Sequence, residues 1–481
     1  MLVGIDGSRA GRAVRTGTEG YSLHLIAALL RRSSGNRYRL YFDREPPADL
    51  PFAERAEHRV IRFPRAWTHV RLAAELIRRP PELLFVPAHV IPLVCPVPAV
   101  ATVHDVGYLW HRSAYTPLAW ILLHAGTLLN ARAARRIVAD SRATARDLVD
   151  HFGVSPERIR VAYLGGPPVR VVDPDPEIVA RYGLPPRYFL FVGTLQPRKN
   201  LTRLLRSFAS VPQPRQSQVG LVLAGRPGIG SAELRQRAAA LGLESRVTWL
   251  SYVPEEHLAP LYAGAVSLVF PSLYEGFGRP ILEAMAWGTP VVASNASSLP
   301  EVVGPAGLLV DPYDVEGLSQ AMARLLDDQP LRERLIVAGR LRAAEFTWDR
   351  CAAEVEVAFA EAAGTGFADQ ASWPVHSSRG GAVAQQAVRT VNITLSNNAI
   401  EPRVVRVPAN YPIKFVVRNA GSCRHQYAVP AVPGFSIDVL PGQTTIEIFT
   451  FINVGTFLVV SNDDEDQKHG LRGELIVEAL Y

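Results

Sequence analysis

The sequence predicts an α/β protein with two Rossmann-like domains facing each other across a cleft, followed by a small all-β sandwich. Three observations carry this. From Leu2 to about Gly165, short β-branched runs alternate with amphipathic helical stretches, the rhythm of a parallel sheet covered by helices. A Pro/Gly-rich joint over Gly165 to Glu177 interrupts that rhythm, and a second strand–helix series starts at Tyr188 with YFLFVG. Beyond Val391 the apolar pattern has period two and almost no helical component, as in a sandwich of short strands.

Within the first series the candidate strands are Leu2 to Asp6, Tyr38 to Phe42, Leu83 to Pro87, Ala99 to Val103 and Arg136 to Ala139. Tyr21 to Arg32 and Ser141 to Phe152 are helical pieces between them. The second series offers strands at Val219 to Ala224, Val247 to Ser251, Val266 to Pro271, Pro290 to Ser294 and Gly307 to Asp311, then a helix over Thr347 to Ala363. Thr365 to Thr390 is rich in Gly, Ala, Ser and Gln without periodicity, the composition of a flexible linker. The expected organisation is an N-terminal Rossmann-like domain (1–165), a second Rossmann-like domain (166–363), a linker (364–390) and a sandwich (391–481).

Composition agrees with this division. A chain of 481 residues holds about three domains of ordinary size. Apolar residues make up 48% and charged residues 20%, with no run of the roughly 18 apolar residues that spans a membrane. The start lacks a secretory pattern, and the cysteines (Cys95, Cys351, Cys423) are odd in number and far apart, so a cytoplasmic, disulfide-free protein is expected. The net charge of +6 is almost all arginine, the lysines being Lys199, Lys414 and Lys468. Such an excess suits phosphate-bearing substrates, an anionic membrane face or simply a solvated basic surface; no nucleic-acid partner is expected.

The chemistry concentrates after the strand that ends at Pro271. There Glu275 begins a Gly-rich loop with Gly276, Phe277 and Gly278, and Pro280 opens a helix that Gly288 stops. Glycines leave backbone N–H groups free to approach a ligand, and the helix start favours an anion such as a diphosphate. Glu283, read in the first turn of that helix, has a carboxylate suited to both hydroxyls of a ribose, although a glutamate there also serves as a dipole partner. Upstream, Arg198 and Lys199 stand at the head of another helix, where two cations oppose the dipole unless an anion binds between them.

The segment from Tyr274 to Ala284 (YEGFGRPILEA) resembles the E-x7-E signature of the retaining GT-B glycosyltransferases of the glycosyl group 1 family. The stretch GTLQPRKN (Gly193 to Asn200) resembles the family block whose Arg198 and Lys199 contact donor phosphates, with Thr194 where some relatives carry a further arginine. The resemblance covers roughly residues 1 to 363. It implies a GT-B architecture, in which Gly17 and Gly20 (TGTEGYSLHL) close over the donor diphosphate. His104 of VHDVGYLW lies beside the transferred sugar, with Asp105 orienting its ring. The block ADSRATARDL is architectural, Ser141 capping a helix.

The activity implied is retaining transfer of a hexose, GDP-mannose favoured over UDP-glucose, to a sugar or lipid-linked acceptor in polysaccharide or glycolipid assembly. His104, Arg198, Lys199 and Glu275 would be catalytic; Gly17, Gly20, Gly276, Phe277, Gly278 and Glu283 would bind the donor. No metal and no cofactor are expected, because the Asp-x-Asp triplets (Asp173, Asp175; Asp464, Asp466) fall in the joint and the last domain and the Arg/Lys pair can serve the phosphates instead. The apolar stretch from Leu118 (LAWILLHAGTLL) is either core or a peripheral contact with the inner membrane face. A GT-B nucleotide-sugar epimerase is the enzyme alternative.

The last domain resembles a cupredoxin with its copper ligands lost. His425 holds the first histidine's place, while Ser461, Asp466 and Leu471 stand where cysteine, histidine and methionine are required. Cys423 and His469 do not replace them, and the acidic loop after Asn462 reads as a solvated charge run. A copper-free sandwich follows; a redox or metal-handling protein is the alternative of another class.

Overall fold

The computed structural model describes residues 1–12, 17–32, 34–47, 50, 55–63, 66–212, 219–364, 389–397, 399–408, 412–429, 436–450, 455–460 and 472–478. The chain divides into two compact units, Met1–Ala368 and Asp369–Tyr481.

In the first domain of the larger unit the order is β1 (Leu2–Asp6), α1 (Gly17–Arg31), β2 (Arg37–Phe42), β3 (Glu57–Val60), α2 (Ala73–Arg78), β4 (Leu83–Val86), β5 (Ala99–Val103), α3 (Pro117–Ala133), β6 (Arg136–Ala139), α4 (Arg142–Phe152) and β7 (Ile159–Val161). The strands form one parallel sheet in the order β3-β2-β1-β4-β5-β6-β7. Its central strands are apolar along their length and buried, as a sheet with helices on both faces requires. The periodicity misses β3 and β7 because EHRV and IRV are short edge strands with charged, half-exposed side chains.

The second domain runs α5 (Pro176–Tyr182), β8 (Tyr188–Val192), α6 (Leu201–Ala209), β9 (Gly220–Ala224), α7 (Ser231–Ala240), β10 (Val247–Leu250), α8 (Glu255–Ala263), β11 (Ser267–Phe270), α9 (Arg279–Ala286), β12 (Val291–Ser294), α10 (Leu299–Val303), β13 (Leu308–Val310), α11 (Val315–Asp327), α12 (Gln329–Ala344) and α13 (Trp348–Ala363). Its parallel sheet has the order β10-β9-β8-β11-β12-β13. Each sheet reverses its winding once, between β1 and β4 and between β8 and β11. At such a switch point the loops leave in opposite directions and open a crevice at the carboxyl ends of the strands.

Helix α13 lies at the end of the segment assigned to the second domain. It follows the second domain in sequence but packs on the first. Phe359 meets Phe85 edge to face with ring centres 5.1 Å apart, and Glu356 accepts hydrogen bonds from Tyr38 Oη at 2.9 Å and Arg32 Nε at 2.7 Å. The apolar face of Ala352, Val355, Phe359 and Ala362 is buried this way, so the chain crosses between the domains twice, at the joint and before Trp348. Asp175 of the joint is an N-cap, its carboxylate accepting from Glu177 N at 2.8 Å.

The smaller unit has the strands β14 (Arg389–Ser396), β15 (Ala399–Glu401), β16 (Val404–Pro408), β17 (Pro412–Asn419), β18 (His425–Ala428), β19 (Ser436–Val439), β20 (Thr444–Thr450), β21 (Gly455–Val460) and β22 (Arg472–Glu478). They form two mixed sheets, β15-β14-β17-β20 and β16-β22-β21-β18-β19. Alternate residues such as Ile393, Leu395, Phe415, Val417, Leu475 and Val477 share one core. The strand β14 starts at Arg389, inside the stretch read as linker; the rest of that stretch, 365–388, and the loop positions Ser461, Asp466, His469 and Leu471 lie outside the described residues.

Candidate active site

The loops after β8 and β11 meet at the switch point of the second sheet. A short turn over Pro197–Lys199 follows β8 and delivers two cations; the loop after β11 delivers Glu275. Arg198 Nη1 lies 3.1 Å from Glu275 Oε2 and donates to the Tyr274 carbonyl at 2.9 Å, and Lys199 Nζ lies 2.5 Å from Glu275 Oε1. All three are largely buried. Burial pushes the Glu275 carboxyl up, but Lys199 and Arg198 more than offset it and hold it below its usual range. Lys199 is lowered to about 8 by burial, which Glu275 only partly opposes. Asn200, held in the left-handed region at φ 61°, ends the turn and donates from Nδ2 to the carbonyls of Pro271 and Pro312 at 3.1 and 2.6 Å, which ties the two loops together.

Behind Glu275, Ser297 and Ser298 fix its backbone. Glu275 N donates to Ser297 Oγ at 2.8 Å, and the Glu275 carbonyl accepts from both serine hydroxyls at 3.1 and 3.0 Å. The ring of Phe277 is buried against Tyr163 of the first domain and Phe346, with centres 6.0 and 5.8 Å apart. The side chain of Phe277, expected among the donor-binding residues, thus lies in an aromatic cluster between the two domains. Gly276 presses on the first domain, where a Cβ would run into the His104 carbonyl. Gly278, at φ 109°, turns the chain into α9.

Glu283 sits in the second turn of α9, not the first, because the helix begins at Arg279. Both carboxylate oxygens are engaged: Tyr262 Oη donates to Oε2 at 3.0 Å and Arg279 Nε lies 3.0 Å from Oε1. Burial raises its pKa, with Arg279 and Tyr262 opposing. The Arg279 guanidinium also fills the space where a Cβ on Gly20 would stand. Gly20 thus admits a side chain of the facing domain. Gly17, the first residue of α1, is exposed with open space around it.

Across the crevice, His104 follows β5. Its Nδ1 bonds Asp140 Oδ2 at 2.7 Å, and the edge of its ring meets Tyr21 with centres 4.6 Å apart. Burial works against protonation of His104, but Asp140, with Asp105 adding to it, raises its pKa overall. The sequence assigned ring orientation to Asp105; the structure gives that contact to Asp140. Asp105 instead accepts from Gly107 N at 2.9 Å and shapes the following turn. Asp140 lay in the block ADSRATARDL beside Ser141, whose hydroxyl accepts from Thr144 N at 3.0 Å and caps α4. Its signal was a carboxylate at the carboxyl end of the strand next to β5.

The domains are also joined at Glu301. Its carboxylate accepts from Arg142 N and Ala143 N at 2.9 and 2.7 Å, at the start of α4, and from Tyr163 Oη at 2.9 Å. Tyr274, beside Glu275, donates to Asp147 at 2.6 Å and stacks on Trp110 with ring centres 5.1 Å apart. The catalytic candidates from both domains are thereby brought to one crevice.

In the smaller unit His425 is buried at the start of β18, its Nε2 3.3 Å from Asn397 Oδ1 and 3.9 Å from Cys423 Sγ. Among the described residues no group of three or more His, Cys, Asp or Glu side chains is placed to hold a metal ion.

Comparison with known proteins agrees with this layout. Residues 176–342 match the model of Glycosyl transferases group 1, and residues 15–168 that of Glycosyltransferase Family 4. The chain is 44% identical over 164 residues to the O-antigen chain mannosyltransferase B of Escherichia coli (34% of this chain, 43% of that protein). It is 37% identical over 236 residues to the MMP alpha-(1->4)-mannosyltransferase of Mycolicibacterium hassiacum (48% of this chain, 55% of that protein). The chain thus spans about half the length of the curated relatives it matches. Among solved structures, the sucrose-phosphate synthase of Thermosynechococcus elongatus superposes with a TM-score of 0.60 at 22% identity, over 75% of this chain and 98% of that one. The Anabaena protein HepE, in complex with UDP and glucose, gives 0.57 at 21%, over 74% and 98%. Residues 15–168 and 176–342 thus match two glycosyltransferase family models in turn, and the two parallel-sheet domains share the GT-B fold of these solved structures.

Proposed function

We propose that this chain is a retaining glycosyltransferase that moves a hexose, mannose in the favoured reading, from a nucleoside-diphosphate sugar to an acceptor hydroxyl in polysaccharide or glycolipid assembly. The observation that carries the proposal is the buried Arg198–Glu275–Lys199 cluster at the switch point, opposite His104. Two cations held by one carboxylate leave a net positive charge in a largely buried site, where a diphosphate is strongly favoured. Glu275 holds hydroxyls of the transferred sugar, Glu283 takes the ribose, and the glycine loops at Gly17 and Gly276 to Gly278 admit the phosphates.

In this reading the bond from the anomeric carbon to the diphosphate breaks as the acceptor oxygen bonds on the same face. The acceptor proton passes to the departing phosphate oxygen. Arg198 and Lys199 stabilise the charge that develops on that diphosphate, the electrostatic role that usually contributes most to catalysis. This route needs neither a covalent carboxylate intermediate nor a metal. The mannosyltransferases among the relatives support mannose as the transferred sugar, with GDP-mannose the proposed donor; the structural neighbour crystallised with UDP and glucose keeps UDP-glucose in the test.

A panel of GDP- and UDP-sugars scored by thermal stabilisation identifies the donor, since a ligand bound only by the folded state raises its melting temperature. Transfer is then followed with saccharide and lipid-linked acceptors, and the product anomer is read by NMR. Inversion, or release of an epimerised sugar and free nucleotide without acceptor, sinks the proposal.

Two further parts of the reading concern the periphery. Helix α3 exposes Leu118, Ile121 and Leu122 on one face, which supports a peripheral contact with a membrane; among the described residues no helix is long and apolar enough to cross one. Flotation with anionic vesicles tests this, and a chain that stays at the bottom of the gradient refutes it. The smaller unit is read as a cupredoxin-like sandwich without copper, supported by its two mixed sheets around one core. Metal analysis of the whole chain after exposure to copper tests that, one bound copper being the refuting result.

A further inference from the structure

We propose that Asp140 is a positioning residue for His104, fixing the plane and the protonation of the imidazole that borders the crevice; this rests on the reading of the crevice as a sugar-transfer site. The two residues end adjacent parallel strands, β5 and β6, so the sheet itself places their side chains together. Asp140 Oδ2 takes Nδ1 of His104 at 2.7 Å. An ionised carboxylate there requires a proton on Nδ1 in either charge state of the ring, which settles which nitrogen is presented on the other side. That nitrogen, Nε2, is buried, and the Pro87 carbonyl beside the ring also favours its protonated form.

The surroundings argue against a purely structural carboxylate. Asp140 is 3% exposed, and its second oxygen, Oδ1, is buried with no hydrogen-bond partner. A buried carboxylate that caps nothing and serves one histidine is a cost to the fold that calls for another reason. Neighbouring elements complete the setting. Tyr21 of α1 meets the imidazole edge-on and bonds Thr102 of β5 at 3.1 Å, fixing the ring plane. Cys351 of α13 and Asp105 are the other titratable groups that act on the pair. Asp105 is already engaged with Gly107 N, so of the two aspartates it is Asp140 that bonds the ring.

The test uses the full chain with the nucleotide sugar and acceptor it turns over, comparing Asp140→Asn, His104→Gln and the double variant. Loss of the negative charge lowers the pKa of His104, so in Asp140→Asn the alkaline limb of kcat/KM against pH moves to lower pH and the maximum falls about tenfold or more. In the His104→Gln background the same change has little further effect, because Asp140 acts through the imidazole, and Asp140→Glu restores part of the activity. The midpoint of His104 followed by NMR in the resting protein falls in Asp140→Asn whether or not a sugar is transferred. An unchanged midpoint, or an equal loss in the His104→Gln background, overturns the proposal. Failure of the wild-type chain to transfer any sugar would instead count against the reading of the crevice.

Discussion

Lys199 Nζ lies 2.5 Å from Oε1 of Glu275, and both side chains are largely buried, with Arg198 on the other carboxylate oxygen. One acid therefore neutralises one of two neighbouring cations and leaves the other for a ligand. Replacing Glu275 by Ala leaves two unpaired cations in a buried site. Breaking a buried pair in this way costs about 3–5 kcal/mol of stability, so Glu275→Ala should melt well below wild type and turn over slowly. Glu275→Gln, which keeps the shape and one of the two acceptor oxygens, should retain more stability while still losing kcat. A Glu275→Ala protein with wild-type melting and kcat would refute the assigned role.

The lowered pKa of Lys199, about 8, gives a pH dependence with two opposite signs. Donor binding needs the charged amine, so nucleoside-diphosphate affinity should be flat below about pH 7 and weaken as pH rises past 8. Folding goes the other way. The folded chain binds this proton less tightly than the unfolded chain, whose lysine titrates near 10.5. The contribution of Lys199 to stability is therefore present above that value and lost as pH falls through 8. Calorimetric titration with GDP and UDP across pH 6.5–9.5 checks the first effect; Lys199→Met should abolish the slope.

Glu283 is a carboxylate that the fold holds at a cost. Burial raises its pKa despite Arg279 and Tyr262, so its contribution to stability is present at low pH and lost as pH rises through the folded value. Glu283→Gln removes that penalty at neutral pH. The expected result is a melting temperature equal to or above wild type, together with a Kd for the nucleoside diphosphate about tenfold weaker, the order of one charged hydrogen bond. Parallel melting and titration measurements separate this from simple destabilisation.

Glu301 caps α4 from the opposite domain. Losing a helix cap costs about 1 kcal/mol, which for a unit of this size lowers the melting temperature by roughly 1–2 °C. Glu301→Ala should show that shift and a higher KM for the donor, because the closed arrangement of the two domains loses a tie. An unchanged KM would confine Glu301 to a local cap.

Charge stabilisation by Arg198 and Lys199 in place of a metal predicts full activity of the purified chain in EDTA. Activity that vanishes in EDTA and returns with Mg²⁺ or Mn²⁺ would contradict it.

Sequence by itself determined the two strand–helix series, the all-β end and the motifs GTLQPRKN and YEGFGRPILEA. These depend on apolar periodicity and local turn chemistry, which neighbouring residues dictate. Edge strands such as Glu57–Val60 escaped because they bury too little to leave a pattern. Tertiary structure alone decided which groups meet. It paired His104 with Asp140 rather than the adjacent Asp105, sent Phe277 into a core between Tyr163 and Phe346, and returned α13 to the first sheet. It also set Glu283 against Tyr262 and Arg279. The physical reason is common to these cases: strand order and winding direction place distant loops side by side at a switch point, and no local signal in a single chain encodes which of several nearby carboxylates reaches a given ring.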